Sequence, residues 1–410
     1  MMASDLILTH DPREFVRGLQ QILISDSKRI GFLCGAGTSI AVKNDGNPNS
    51  KVPGVKEMTD KIVNSITDEK FLKALKQVEE DFKEAKTEYL IEYILSYLSQ
   101  KESVVGKETL CGLNKDEFAK LRVFIEDKIK EIVSVHKKKS DYIDSLLHCD
   151  FAQWILHASR KHPIEIFTTN YDYLFEMGLE YHSVPYFDGF VGAFEPFFST
   201  ASVADIKFLP EYTKLWKLHG SLGWDYDDKM KRIIRRHQDS STIIVFPSLL
   251  KYDHSKKQPY VSFMDRLTSF IHKDDGILFI CGYSFGDQHI NDVILNALSK
   301  TRTSHVAAFY FDDFTKNSPV AKLAMNEPKL TIYGKRNAVI GGKFGSWRLK
   351  TEPEKDDSIH ISLYFDEDAA LPDQKWTGQG DFKLQKFEDF VIFLISLNYD
   401  NYIIPRNKHE

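Results

Sequence analysis

Apolar residues recur at intervals of three and four over much of the first 160 positions. Asp11-Pro12 is a pair typical of the start of a helix. Phe15, Leu19 and Ile22 follow it and form one apolar stripe. The same period persists from residue 55 to residue 159, where residues 89–98 are apolar almost all round. This span, 55–159, therefore predicts an inserted module of helices.

Short apolar runs bounded by turn residues begin at residue 29 and return after residue 163. Strands are predicted at residues 29–34, 164–168, 214–218, 242–246, 277–281 and 306–311, with helices at 263–272, 289–298 and 387–397. Strands alternating with helices predict an α/β fold, a doubly wound and mostly parallel sheet. The α/β domain would be discontinuous, with residues 1–54 and 160–400 on either side of the inserted helical module. We expect residues 341–347 to form a loop.

Composition narrows the class of protein. Hydrophobic residues make up 42% of the chain and aromatic residues 13%, so a packed core is expected and global disorder is excluded. The formal net charge of -5 from 54 basic and 59 acidic residues predicts no direct binding to nucleic acid. The charged stretch 229–236 is typical of a hairpin strand. Four scattered cysteines and the absence of any run of about 18 apolar residues favour a soluble cytoplasmic protein without membrane contact.

The most informative local feature is the turn after the first predicted strand. Gly35-Ala36-Gly37-Thr38-Ser39 follows a buried apolar run. Glycines lack Cβ, so the backbone can turn sharply there and approach a pyrophosphate closely. We expect the backbone N–H groups of the first three residues and the hydroxyls of the last two to bind phosphate.

Three further blocks follow the ends of later predicted strands. They are Thr168-Thr169-Asn170-Tyr171-Asp172, Leu218-His219-Gly220 and Cys281-Gly282-Tyr283-Ser284-Phe285-Gly286-Asp287. In parallel sheets the ligand lies beyond the carboxyl ends of the strands, so all four blocks are expected to converge on one site. Asn170 and Asp172 would also suit a simple turn, and Asp287 a helix cap.

Taken in order, the four blocks resemble the G-A-G-x-S, T-Q-N-x-D, H-G and G-x-S blocks of the sirtuin family, which binds and cleaves NAD. The resemblance implies that His219 is a general base and that Asn170 orders a water molecule or the ribose hydroxyls. It implies that Asp172 contacts the nicotinamide amide and that Gly282 and Ser284 close over the ribose and phosphate. NAD would be the substrate.

The resemblance fails where protein deacylases differ from other members. No cysteine lies between His219 and Cys281, so the two C-x-x-C pairs of the deacylase zinc ribbon are missing and no zinc is expected. The F-G-E peptide clamp and the I-P-D-F-R motif are also missing; Val52-Pro53 is the nearest remnant of the latter. Water would then be the nucleophile, and the predicted activity is hydrolysis of NAD to ADP-ribose and nicotinamide.

This variant pattern resembles the sirtuin-like effectors of bacterial antiphage defence, in particular the subunit that accompanies a HerA-type hexameric ATPase. The resemblance implies NAD depletion as the function and that ATPase as a partner. A non-catalytic NAD or ADP-ribose sensor is the alternative, and a protein deacylase is the third. The apolar stretch 89–98 leads us to expect a homo-oligomer, with a monomer as the alternative.

Overall fold

The fold is seen in a computed structural model, which describes residues 8–43, 46–47, 50–158, 160–205, 207–236, 258–354, 360–369 and 375–398. The strands are β1 Thr9–His10, β2 Arg29–Cys34, β3 Glu165–Thr168, β4 Tyr186–Phe187, β5 Phe190–Val191, β6 Phe197–Phe198, β7 Thr213–Lys217, β8 Trp224–Asp227, β9 Arg232–Arg235, β10 Gly276–Cys281, β11 His305–Phe309, β12 Leu330–Tyr333, β13 Asn337–Ile340, β14 Lys343–Trp347, β15 Phe365–Glu367 and β16 Gly380–Phe382. The predicted strand at 242–246 lies outside the described residues.

The helices predicted at 263–272, 289–298 and 387–397 are confirmed by α-helices that begin and end close to those positions. The α-helices are α1 Pro12–Ile24, α2 Ala36–Ile40, α3 Val55–Asn64, α4 Glu69–Glu84, α5 Ile91–Val104, α6 Lys115–Val133, α7 Leu147–His157, α8 Leu174–Tyr181, α9 Thr200–Ala204, α10 Tyr260–His272, α11 Gln288–Lys300, α12 Pro319–Asn326 and α13 Phe387–Asn398. Asp11 caps α1 by accepting a hydrogen bond from the Arg13 amide, and Pro12 occupies the first turn. Asn114 and Glu117 cap α6 reciprocally.

Ten described strands form one sheet in the order β1-β14-β13-β12-β11-β10-β2-β3-β7-β4. The strands from β12 through β4 in this order pair in parallel, which confirms the prediction of a mostly parallel sheet. The chain runs from β2 through β3 to β7 on one side and then from β10 through β11 to β12 on the other. This order is consistent with a doubly wound, Rossmann-like arrangement. In such a fold the ligand crevice lies at the carboxyl ends of the neighbouring strands β2 and β10, because the chain leaves these two strands in opposite directions along the sheet.

Helices cover both faces of the sheet because the central strands are apolar on both sides. Phe32 and Phe279 project toward one face, where α1, α7 and α13 pack; Phe151 of α7 meets the Phe32 ring edge-on. Leu33 and Leu278 project toward the other, under α10, α11 and α12. The alternation of neighbouring residues between two faces is the period-2 geometry of a strand.

The prediction of a loop at 341–347 is wrong, because Lys343–Trp347 forms strand β14. Gly341 and Gly342 adopt φ values of 57° and 75° and turn the chain between β13 and β14, which pair antiparallel. Two adjacent glycines suit a tight hairpin turn. The expected hairpin strand at 229–236 is confirmed by β9, which pairs antiparallel with β8.

Helices α3 to α6 bury their apolar stripes in a third core, to which Leu174 and Met177 of α8 also contribute. Ile91, Ile94, Leu95 and Leu98 of α5 lie inside this core. The chain itself therefore covers much of the apolar surface that led us to expect an oligomer. Among the described residues, no helix combines the length and the apolar character that a membrane span requires.

Candidate functional site

The glycine turn packs directly against the loop that follows β10. The Gly35 amide donates to the Cys281 carbonyl at 3.0 Å and the Gly37 amide donates to the Gly282 carbonyl at 2.9 Å. A Cβ built on Gly35 would lie 2.5 Å from the Gly282 oxygen, and one on Gly37 would lie 2.6 Å from the Gly282 Cα. These glycines therefore allow two backbones to touch, and two of the amides expected to bind phosphate donate within the protein.

The hydroxyls of the turn are also engaged inside the protein. The Thr38 hydroxyl donates to the Gly35 carbonyl at 2.9 Å, and the Ser39 hydroxyl donates to Asp172 Oδ2 at 2.7 Å. Both side chains are buried. In this arrangement Ser39 ties the glycine turn to the block that follows β3, and Ala36 is the exposed residue of the turn.

Asn170 connects the same two segments. Its Nδ2 lies 3.0 Å from the Gly35 carbonyl oxygen, 3.0 Å from Thr38 Oγ1 and 2.7 Å from Ser39 Oγ. A carboxamide has two N–H groups, so it satisfies at most two of these oxygens at once. Asn170 is 7% exposed, and its amide holds the glycine turn in place.

Asp172 is held from both sides. Its Oδ1 accepts from the Leu174 amide at 3.0 Å, so Asp172 forms a turn immediately before α8, as the sequence also allowed. The buried Lys217 ammonium donates to the Asp172 carbonyl and also to Glu176 Oε1, the latter at 2.7 Å. Burial raises the pKa of Glu176, against the opposing effect of Lys217. This ion pair braces the end of β7 against α8, behind the site.

His219 lies just past the end of β7, and Gly220 beyond it turns with φ of 88°. Its Nε2 lies 3.1 Å from Asp287 Oδ2, and the two side chains are 12% and 9% exposed. Asp287 is also the cap of α11, accepting from the amides of His289 and Ile290. The prediction of a helix cap at Asp287 is confirmed, and the same side chain also lies beside His219.

One cleft of about 490 Å³ brings most of the predicted site residues together. Its lining includes Ala36, Gly37, Ser39, Asn170, Asp172, His219, Gly282 and Ser284. Gly35 and Thr38 do not line the cleft, because both are buried within the turn. The cleft lies beyond the ends of β2, β3, β7 and β10, where a doubly wound sheet would bind a ligand. Its volume suits a small molecule.

The cleft has a second wall that the sequence reasoning missed. Leu90, Ile91, Glu92 and Tyr93 line it from the start of α5, and Met58 lines it from α3. The same apolar period that identified these helices marks them as core, and nothing in the spacing distinguishes the few side chains that face a ligand. Val52 and Pro53, noted as a motif remnant, also line this wall.

Among residues that the structure describes, no three histidine, cysteine, aspartate or glutamate side chains are grouped to hold a metal ion. Cys34 and Cys281 are register partners on the adjacent strands β2 and β10, and both are buried. Burial raises the pKa of each thiol well above its usual range, so both are neutral.

Comparison with known proteins supports a sirtuin-like relationship. A family model described as a SIR2-like domain matches residues 164–331. The match contains the blocks at Asn170, His219 and Gly282 and begins after the glycine turn. No curated protein matches the chain. A SIR2-like domain indicates NAD-dependent chemistry in general.

Proposed function

We propose that this protein is an NAD glycohydrolase, which cleaves the bond between nicotinamide and ribose. One observation carries the proposal: His219, Asn170 and Asp172 line a single cleft at the carboxyl ends of the strands, within the SIR2-like match. The reaction converts NAD and water into ADP-ribose, nicotinamide and a proton. Its transition state is like an oxocarbenium ion.

His219 is proposed as the general base, which removes a proton from a ribose hydroxyl or from the attacking water. Imidazole suits this role because it exchanges protons near neutral pH. Asp172 would contact the nicotinamide amide. Ser284, which is exposed at the cleft, would contact the ribose or phosphate. Asn170 would act by holding the glycine turn, since its amide already donates there.

The resemblance of the motifs to defence effectors supports a role in depleting NAD during phage infection. A HerA-type hexameric ATPase is the proposed partner, and a homo-oligomer the proposed state. Light scattering tests both: a mass near the 47.3 kDa of one chain, unchanged on adding the ATPase, would contradict them.

A second candidate is a non-catalytic NAD or ADP-ribose sensor. The missing I-P-D-F-R motif favours it, because in sirtuins that element helps to organise the reactive nicotinamide. Such a protein would bind the nucleotide without consuming it.

The decisive experiment incubates the purified protein with NAD, with and without the ATPase, and separates the products by chromatography. We expect nicotinamide and ADP-ribose in equal amounts. His219→Ala should abolish their release, whereas His272→Ala, at the exposed end of α10, should retain it. Calorimetric binding of NAD with no product would support the sensor instead. Release of nicotinamide only when an acylated peptide is present would support the third hypothesis, that the protein is a deacylase.

A further inference from the structure

His219 Nε2 lies 3.1 Å from Asp287 Oδ2, in a contact that joins the end of β7 to the start of α11. We propose that Asp287 is the positioning residue for His219, orienting its ring and fixing which ring nitrogen carries the proton. The inference rests on the proposed glycohydrolase function and deepens it. Sixty-eight positions separate the two residues in the chain, so the pair exists only in the fold.

The carboxylate of Asp287 is itself held in place. Its Oδ1 accepts from the His289 amide at 3.1 Å and from the Ile290 amide at 3.3 Å, while its Oδ2 faces the imidazole. The Tyr283 hydroxyl lies 3.0 Å from the Asp287 carbonyl oxygen and 2.9 Å from Asn291 Oδ1. One oxygen thus caps a 13-residue helix while the other meets His219. A helix cap gives the pair a rigid base.

An ionised carboxylate only accepts hydrogen bonds, so His219 Nε2 carries a proton in this contact. In the neutral ring the basic lone pair is then on Nδ1, and the aspartate also stabilises the imidazolium that forms when the base takes up a proton. The other titratable side chains lining the cleft are Asp172, Glu92, Tyr93, Tyr171 and Tyr283. Of the two acids, Asp172 already accepts from Ser39 and from the Leu174 amide.

The test replaces Asp287 with asparagine, which caps helices as well as aspartate does and keeps the shape of the side chain. We expect kcat to fall about 10²- to 10⁴-fold at neutral pH, because the ring loses its anionic partner. The same loss makes the imidazolium less stable, so His219 is deprotonated at lower pH. The acidic limb of the kcat/KM profile should therefore move to lower pH by about one unit.

Asp292→Asn is the matched control, since Asp292 is exposed on the same helix and accepts a hydrogen bond from Gln288, one turn earlier. It should keep the wild-type rate and profile. If Asp287→Asn keeps the wild-type profile while the wild type hydrolyses NAD, the positioning role is wrong and the proposed function stands. A rise in KM alone would also overturn it, because Asp287 would then contact NAD directly. An inactive wild type would instead refute the proposed function.

Discussion

Gly37→Ala would test what the glycine turn is for. The new Cβ would lie 2.6 Å from the Gly282 Cα and 3.1 Å from the Gly282 oxygen, and both atoms belong to the backbone. Neither can rotate away as a flexible side chain would, so the two loops must separate. Gly37 lies in helix α2. Its backbone conformation therefore suits alanine, and the contact alone opposes the change.

Two effects of opposite sign determine how much Gly37→Ala changes the free energy of unfolding. Alanine in place of glycine within a helix stabilises by about 0.5–1 kcal/mol. Forcing an extra methyl into a filled space costs about 1–3 kcal/mol. Because the obstacle is backbone, we expect the second effect to prevail and the free energy of unfolding to fall by about 1–2 kcal/mol. The separated loops should also weaken NAD binding.

Urea unfolding followed by circular dichroism, together with calorimetric titration of NAD, measures both effects. Gly18→Ala is the control, because Gly18 lies in helix α1 and, apart from the backbone of that helix, no heavy atom lies within 4 Å of the place that its new methyl group would occupy. It should gain the helical contribution alone and become slightly more stable. If Gly37→Ala is as stable as Gly18→Ala and binds NAD normally, the contact with Gly282 does not determine the turn.

Two further predictions concern buried ionisable groups. Burial lowers the pKa of His148 from 6.5 to about 4. Between these two values the unfolded chain binds a proton at His148 and the folded protein does not, so the free energy of unfolding is highest above pH 6.5 and falls as pH falls toward 4. His148→Leu should therefore reduce the difference in the free energy of unfolding between pH 7.5 and pH 5 by about 2 kcal/mol. The control is His157→Leu at an exposed position, which should leave that difference unchanged. Equal pH dependence in the wild type and His148→Leu would contradict the prediction. Lys217→Met should lower the free energy of unfolding by about 3–5 kcal/mol, because it leaves Glu176 buried without its cation. The double variant with Glu176→Leu should recover part of that loss; a double variant less stable than Lys217→Met would show that the ion pair is not the cause.

The pattern of residues along the chain was enough to predict the main architecture and the location of the candidate site. Apolar runs alternating with helical stripes identified β2, β3, β7, β10 and β11, since burial on both faces leaves an apolar signature that local spacing records. Parallel strands share one carboxyl edge, and so Asn170, His219 and Gly282 were expected together and do line one cleft. The miss at β14 came from its polar and glycine residues, although Gly341-Gly342 was a usable hairpin signal.

How the site residues engage each other became visible only in three dimensions. Asn170 and Ser39 turn their polar atoms toward the protein, and Asp287 meets His219 across 68 positions. Hydrogen bonds of this kind depend on loop conformations and side-chain directions, which periodicity does not encode. The wall at Ile91 likewise follows from how α5 packs, because a core stripe and a ligand-facing stripe have the same spacing in the chain.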